Sequence, residues 1–135
     1  MKNMAKIYLD AASKGNPGLS AYGITIVEDG YRKTYSGALG EMDNHSAEWE
    51  TLLLALEKAK ALNVQNALIH TDSKLIEEAI QRGFIRNPKF KGYLEKYQKL
   101  AEDAFVVCFV KWIPRSQNKE ANALAQQTLY QLTKE

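Results

Sequence analysis

Apolar runs bounded by turn residues predict strands, and apolar positions at helical spacing predict helices, along the chain. Residues 5–11 (AKIYLDA) are apolar enough for an interior strand. Ser-Lys-Gly-Asn-Pro-Gly then reads as a turn, with Pro17 fixing one φ angle and Gly15 and Gly18 permitting unusual ones. Residues 20–28 and 31–39 predict a hairpin closed at Glu28-Asp29-Gly30. Over 45–62, Leu52, Ala55, Leu56, Ala59 and Leu62 recur at helical spacing, with Lys and Glu opposite. A strand over Ala67–Thr71 runs into a helix that starts near Asp72-Ser73 and fades at Gly83, and Asn87-Pro88 opens a further helix over 88–103. Phe105–Trp112 is the most β-like run, and Pro114 stops it. The last helix is expected over 118–133, with Ala121, Leu124, Ala125, Leu129 and Leu132 on its apolar side. The order βββ-α-β-α-α-β-α implies an α/β fold: an antiparallel three-strand meander continued by parallel strands, with helices on both faces.

Composition changes little in this picture. At 135 residues, 45% hydrophobic and 25% charged, the chain reads as a single globular domain over 1–135. The short apolar run near the N-terminus is cut by Asp10, so neither a signal peptide nor a membrane span is predicted. The single cysteine, Cys108, sits in an apolar run and reads as a reduced, buried core thiol. A cytoplasmic monomer is expected.

Charge distribution says more than the net charge of +2. Residues 82–99 hold Arg82, Arg86, Lys89, Lys91, Lys96 and Lys99 against Glu95, so the rest of the chain is net negative. Phe84, Phe90, Tyr93 and Tyr97 are interleaved with these cations. Such a segment suits a sugar-phosphate backbone; it equally suits a solvated helix face whose aromatics turn inward.

Three acids sit where core logic would not put them. Asp10 ends an interior strand, Glu48 lies on the buried stripe of its helix, and Asp72 directly follows a strand. Taken singly, Asp72 reads as a helix N-cap, Glu48 as a first-turn glutamate and Asp10 as an edge-strand residue. Taken together, strand ends and a helix start can meet at one sheet edge. Three carboxylates there would form a hard-oxygen site for Mg²⁺ or Mn²⁺.

Four stretches carry a resemblance: Tyr-Leu-Asp-Ala-Ala-Ser-Lys-Gly-Asn-Pro-Gly (8–18), Asp-Asn-His-Ser-Ala-Glu (43–48), His-Thr-Asp-Ser (70–73) and Asn-Lys-Glu-Ala-Asn-Ala-Leu-Ala (118–125). In this order they resemble the type 1 ribonuclease H family. The resemblance implies a ribonuclease H-like fold with a five-stranded mixed sheet. It also implies two-metal hydrolysis of the RNA strand of RNA·DNA hybrids, leaving 5′-phosphate and 3′-hydroxyl ends. Asp10, Glu48 and Asp72 match the first three of the family's four acids, and the fourth falls on Asn122. An asparagine offers a carbonyl oxygen without the charge, so the second of two ions is expected to be held more loosely. Glu120 points about 200° away around the helix and is a poor substitute.

For the hybrid's minor groove, Ser13, Gly15, Asn16 and Asn44 match substrate-contacting positions, and Ser73 lies beside the third acid. His45 stands where the family often has asparagine, and Asp43 where it often has a phosphate-holding threonine. A carboxylate at 43 is expected to repel that phosphate. The loop before the last helix lacks the family's frequent histidine; Arg115 there is a candidate phosphate contact. His70 reads as a strand residue and not as a ligand.

The leading reading is therefore a Mg²⁺- or Mn²⁺-dependent ribonuclease H acting on nucleic acid, with Asp10, Glu48, Asp72 and Asn122 as catalytic and metal-holding residues. The alternative keeps the groove without the turnover: a catalytically weak or inactive binder of RNA·DNA hybrid or double-stranded RNA. A nucleotide phosphate loop at Lys-Gly-Asn-Pro-Gly fails on context, because that loop leads into a strand and not into a helix N-terminus.

Overall fold

The computed structural model describes residues 4–134. Its elements are β1 (Ala5–Gly15), β2 (Gly18–Glu28), β3 (Tyr31–Met42), α1 (Asn44–Ala61), β4 (Asn66–Thr71), α2 (Lys74–Arg82), α3 (Lys91–Ala104), β5 (Val107–Trp112) and α4 (Lys119–Thr133). Short 3-10 turns occupy Pro88–Phe90 and Arg115–Gln117. The strands form one five-stranded sheet in the order β3-β2-β1-β4-β5. Pairing is antiparallel from β1 to β3 and parallel between β1, β4 and β5, as the element order implies.

Alternation along the strands divides the interior in two. Ile7 and Leu9, opposite Ile26 and Ile24, join Trp49, Leu52 and Leu56 of α1 in the larger core. Ala12, opposite Ala21, faces the other way and meets Ala125 and Leu129 of α4. Gly23 is what lets α4 approach. A Cβ there would lie 2.2 Å from the Ala121 carbonyl oxygen and 2.8 Å from the Ala125 nitrogen.

Several boundaries differ from the sequence expectation. β1 continues to Gly15, so only Asn16-Pro17 connects the first hairpin, whose last pair is Gly15–Gly18. The helix expected over 88–103 is divided. Pro88 opens a 3-10 turn, Phe90 drops into the core, and α3 begins at Lys91. Phe105 closes α3, its N–H bonding the Ala101 carbonyl, where a strand start was expected. Leu132 is 42% exposed, because the cluster that α4 meets (Leu19, Ala12 and Ala21) reaches only to Leu129. Cys108 is half-buried, with the Tyr97 hydroxyl 3.6 Å from its sulfur, and not fully enclosed. Among the described residues no helix is long and apolar enough to cross a membrane.

Gly23→Ala should lower unfolding free energy by about 2 kcal/mol or more, since backbone atoms of α4 must move to admit the methyl group. Gly92→Ala, where an added Cβ meets nothing within 4 Å, should instead stabilise by about 0.4–1 kcal/mol. Urea unfolding of both variants checks the pair.

Candidate active site

Asp10 of β1, Glu48 of α1 and Asp72 line one polar cleft of about 240 Å³, together with Ser13, Asn44, Arg115 and Gln126. Local structure brings them there. β1 and β4 are parallel neighbours, so Asp10 and Asp72 follow strand segments that run toward the same sheet edge. The cap of α2 is Ser73, whose hydroxyl accepts from the Ile76 N–H at 3.3 Å; Asp72 is thereby left to face the cleft. The Trp112 indole N–H fixes the Asp72 carbonyl at 3.1 Å.

Glu48 is carried in by the start of α1, and Asp43 sets that start. Its two carboxyl oxygens accept from the Ser46 N–H at 2.9 Å and the Ser46 hydroxyl at 2.7 Å, and Lys89 pairs with it at 2.6 Å. Burial would raise the Asp43 carboxyl, but Lys89 and the Ser46 donors together hold it well below the usual range. This carboxylate is therefore committed to a helix cap and a lysine.

The cleft acids behave oppositely. Burial pushes Asp10 up to about 6; the hydrogen bond from Asn122 opposes this and the Asp72 charge adds to it. Burial likewise pushes Glu48 up to about 7, against a Ser73 hydrogen bond and with help from Asp72 and Asp10. The Arg115 guanidinium lowers both.

Helix α4 answers these acids with amides. Asn122 Nδ2 donates to Asp10 Oδ2 at 2.8 Å. Asn118, only 1% exposed, donates through Nδ2 to the Leu9 carbonyl at 2.8 Å and to Asp72 Oδ2 at 3.3 Å. Gln126 follows one turn later at the cleft wall. Asn118 and Gln126 escaped the sequence reading, although their spacing of four on either side of Asn122 was a readable signal. Glu120 turns away and pairs with Arg32 of β3.

Other sequence candidates lie outside the cleft lining. Gly15 and Asn16 sit at the first hairpin, where Asn16 Oδ1 accepts the Asn44 N–H at 3.0 Å. His45 is exposed, its ring edge-on to Phe90 at 6.1 Å. Ser73 is buried behind Glu48. His70 is a strand residue: Nδ1 is 3.1 Å from the Ile7 carbonyl oxygen, and the ring stacks on Tyr8 at 4.3 Å.

Among the described residues, no three His, Cys, Asp or Glu side chains close into a ready-made ion cage. Amide donors already hold an oxygen of Asp10 and one of Asp72. The donor set nevertheless fits a hard divalent cation. It is all oxygen, and Glu48 Oε2 is buried with no hydrogen-bond partner.

Residues 9–128 match the family described as Reverse transcriptase-like. The chain is 44% identical over 128 residues to the Enterococcus faecalis protein named "Putative hydrolase EbsB", covering 93% of this chain and 94% of that one. The crystal structure of RNase H1 from Halobacterium salinarum superposes with a TM-score of 0.89 at 29% identity, covering 96% of this chain and 99% of that chain. Against the full-length ribonuclease HI of that organism, identity is 31% and the chain spans 62% of the relative. LC11-RNase H1, solved in complex with RNA/DNA hybrid, gives 0.87 at 25% identity, covering 95% and 98%.

Because Asp10 and Glu48 ionise less readily in the folded protein, their charges oppose folding once pH rises through about 6 and about 7. In EDTA, Glu48→Gln should therefore be more stable than wild type at about pH 8, by on the order of 2 kcal/mol. The difference should fade below about pH 4, where both states are protonated, and denaturant unfolding at the two pH values checks it.

Proposed function

This chain belongs to the Reverse transcriptase-like family, in its ribonuclease HI branch, and on that footing we propose that it hydrolyses the RNA strand of RNA·DNA hybrids. One observation carries the reading: Asp10, Glu48 and Asp72, supplied by three separate parts of the chain, open into a single polar cleft with Arg115 at its wall. Nothing in an ordinary core calls for three converging acids.

Asp10, Glu48, Asp72 and the Asn122 carbonyl oxygen would hold divalent Mg²⁺ or Mn²⁺. When bound, such ions supply activation of water and stabilisation of the leaving oxygen in phosphodiester hydrolysis. The chain's own groups do the rest. Arg115 presents its guanidinium to the scissile phosphate. Ser13, Asn44 and Gln126 offer small polar contacts to RNA 2′-hydroxyls in the minor groove. Asn16 holds the Asn44 backbone, and Ser73 steadies Glu48. The cations of 82–99 grip the duplex beyond the cleft, except Lys89, which Asp43 engages. Asn122 donates through Nδ2 to Asp10 and offers only a neutral oxygen to a cation, which sets this site apart from one with four acids.

Purified protein should cleave the end-labelled RNA strand of a hybrid in Mg²⁺ or Mn²⁺, and Asp10→Asn should lower the rate by about two orders of magnitude or more. Asn122→Asp should raise the rate at low Mg²⁺ by tightening the weaker cation position. A protein that binds hybrid in gel shifts yet cleaves it in neither metal would be a hybrid binder, and the hydrolase reading would fall.

A further inference from the structure

On the sheet face that carries α4 lies a second cavity, of about 420 Å³, walled by Lys6 and Tyr8 of β1, Val27 of β2 and the start of α4. None of Asp10, Glu48, Asp72 or Asn122 lines it. Asn118 stands between the two spaces. Its Nδ2 is committed to Leu9 and Asp72, while its Oδ1, in a residue that lines this cavity, is buried and meets no donor.

The cavity's donors are plain. Helix α4 has fifteen residues and no side-chain cap, because the residue at the cap position, Asn118, points its amide elsewhere. Asn122 N–H is the first to reach a helical carbonyl, Asn118 O at 3.1 Å, so the N–H groups of 119–121 precede the ladder and bear the positive end of the helix dipole. Lys6 and Lys119 are both exposed at its margin, and among the described residues neither is in an ion pair. The one acid at the rim, Glu120, is held by Arg32. Opposite stand apolar surfaces: Val27, and the Tyr8 ring kept in place by stacking on His70 at 4.3 Å and 10°.

Uncapped N–H groups and two free lysines select an anion. The orphaned Asn118 oxygen selects a hydroxyl or amino donor, and the aromatic wall selects a ring. We propose that this cavity binds a nucleoside monophosphate. Its phosphate sits on the first turn of α4 between Lys6 and Lys119, a hydroxyl faces Asn118 Oδ1, and the base or sugar lies against Tyr8 and Val27. The volume lies within the range of small-ligand pockets, about 300–1,000 Å³. The site stands independently of hybrid cleavage, although Asn118 makes its occupant a neighbour of Asp72.

Titrate the protein with adenosine 5′-monophosphate in EDTA, which keeps cation-bridged nucleotide out of the carboxylate cleft, and follow backbone amide shifts. Saturable binding is expected, with shifts at Lys6, Tyr8 and 119–121. Adenosine and inorganic phosphate should each bind at least tenfold more weakly, and the double variant Lys6→Met, Lys119→Met should lose at least tenfold in affinity. Asp10→Asn should bind as wild type. No saturation at millimolar nucleotide, an unaffected double variant, or binding abolished by Asp10→Asn overturns the proposal; phosphate binding as tightly as the nucleotide overturns its nucleoside half. Cleavage of hybrid plays no part in any of these outcomes.

Discussion

Bringing three carboxylates out of water into one cleft is the constraint around which the rest of this molecule is arranged. Asp10 and Glu48 are penalised by desolvation and again by neighbouring charge, and their raised values express both effects. The protein answers with neutral donors in preference to cations: Asn122 on Asp10, Asn118 on Asp72 and Ser73 on Glu48, with Arg115 as the single guanidinium at the wall. An acid pinned by an amide keeps its place yet can be released, whereas one locked to a lysine is spent, as Asp43 with Lys89 illustrates.

That arrangement dictates how closely α4 must sit. Its amides reach the acids only because the helix lies against β2 at Gly23, where a single methyl group would collide with helix backbone. Its first turn is left without a cap for the same reason, since Asn118 turns its side chain to the strand carbonyl and to Asp72. The packing of a glycine, the orientation of an acid and the open helix terminus above the rear cavity thus share one cause.

Much of this was legible in the residues. Strand and helix identities followed from periodicity, and the mixed sheet from the order of elements. Asp10, Glu48 and Asp72 were conspicuous as acids at apolar positions, and they do meet in the cleft. What escaped depended on tertiary context. The division at Phe90 follows from a docking aromatic that no periodicity announces. Asp43 was expected to burden a phosphate, and only the fold shows that Ser46 and Lys89 already employ it. Asn118 drew no role from the sequence, because its partners lie 109 and 46 residues away.

Those separations bear on when the site can exist during synthesis. Both asparagines that steady the acids come from the final helix, whereas Asp10, Glu48 and Asp72 are all translated earlier. A nascent chain that has already paired β1 with β2 and β4 therefore carries Asp10 and Asp72 without their amide partners until α4 emerges and closes over Gly23. The acidic cleft is thus completed only after every strand of the sheet has been made, and a chain stalled before residue 118 would hold every proposed acidic ligand without the amides that brace Asp10 and Asp72.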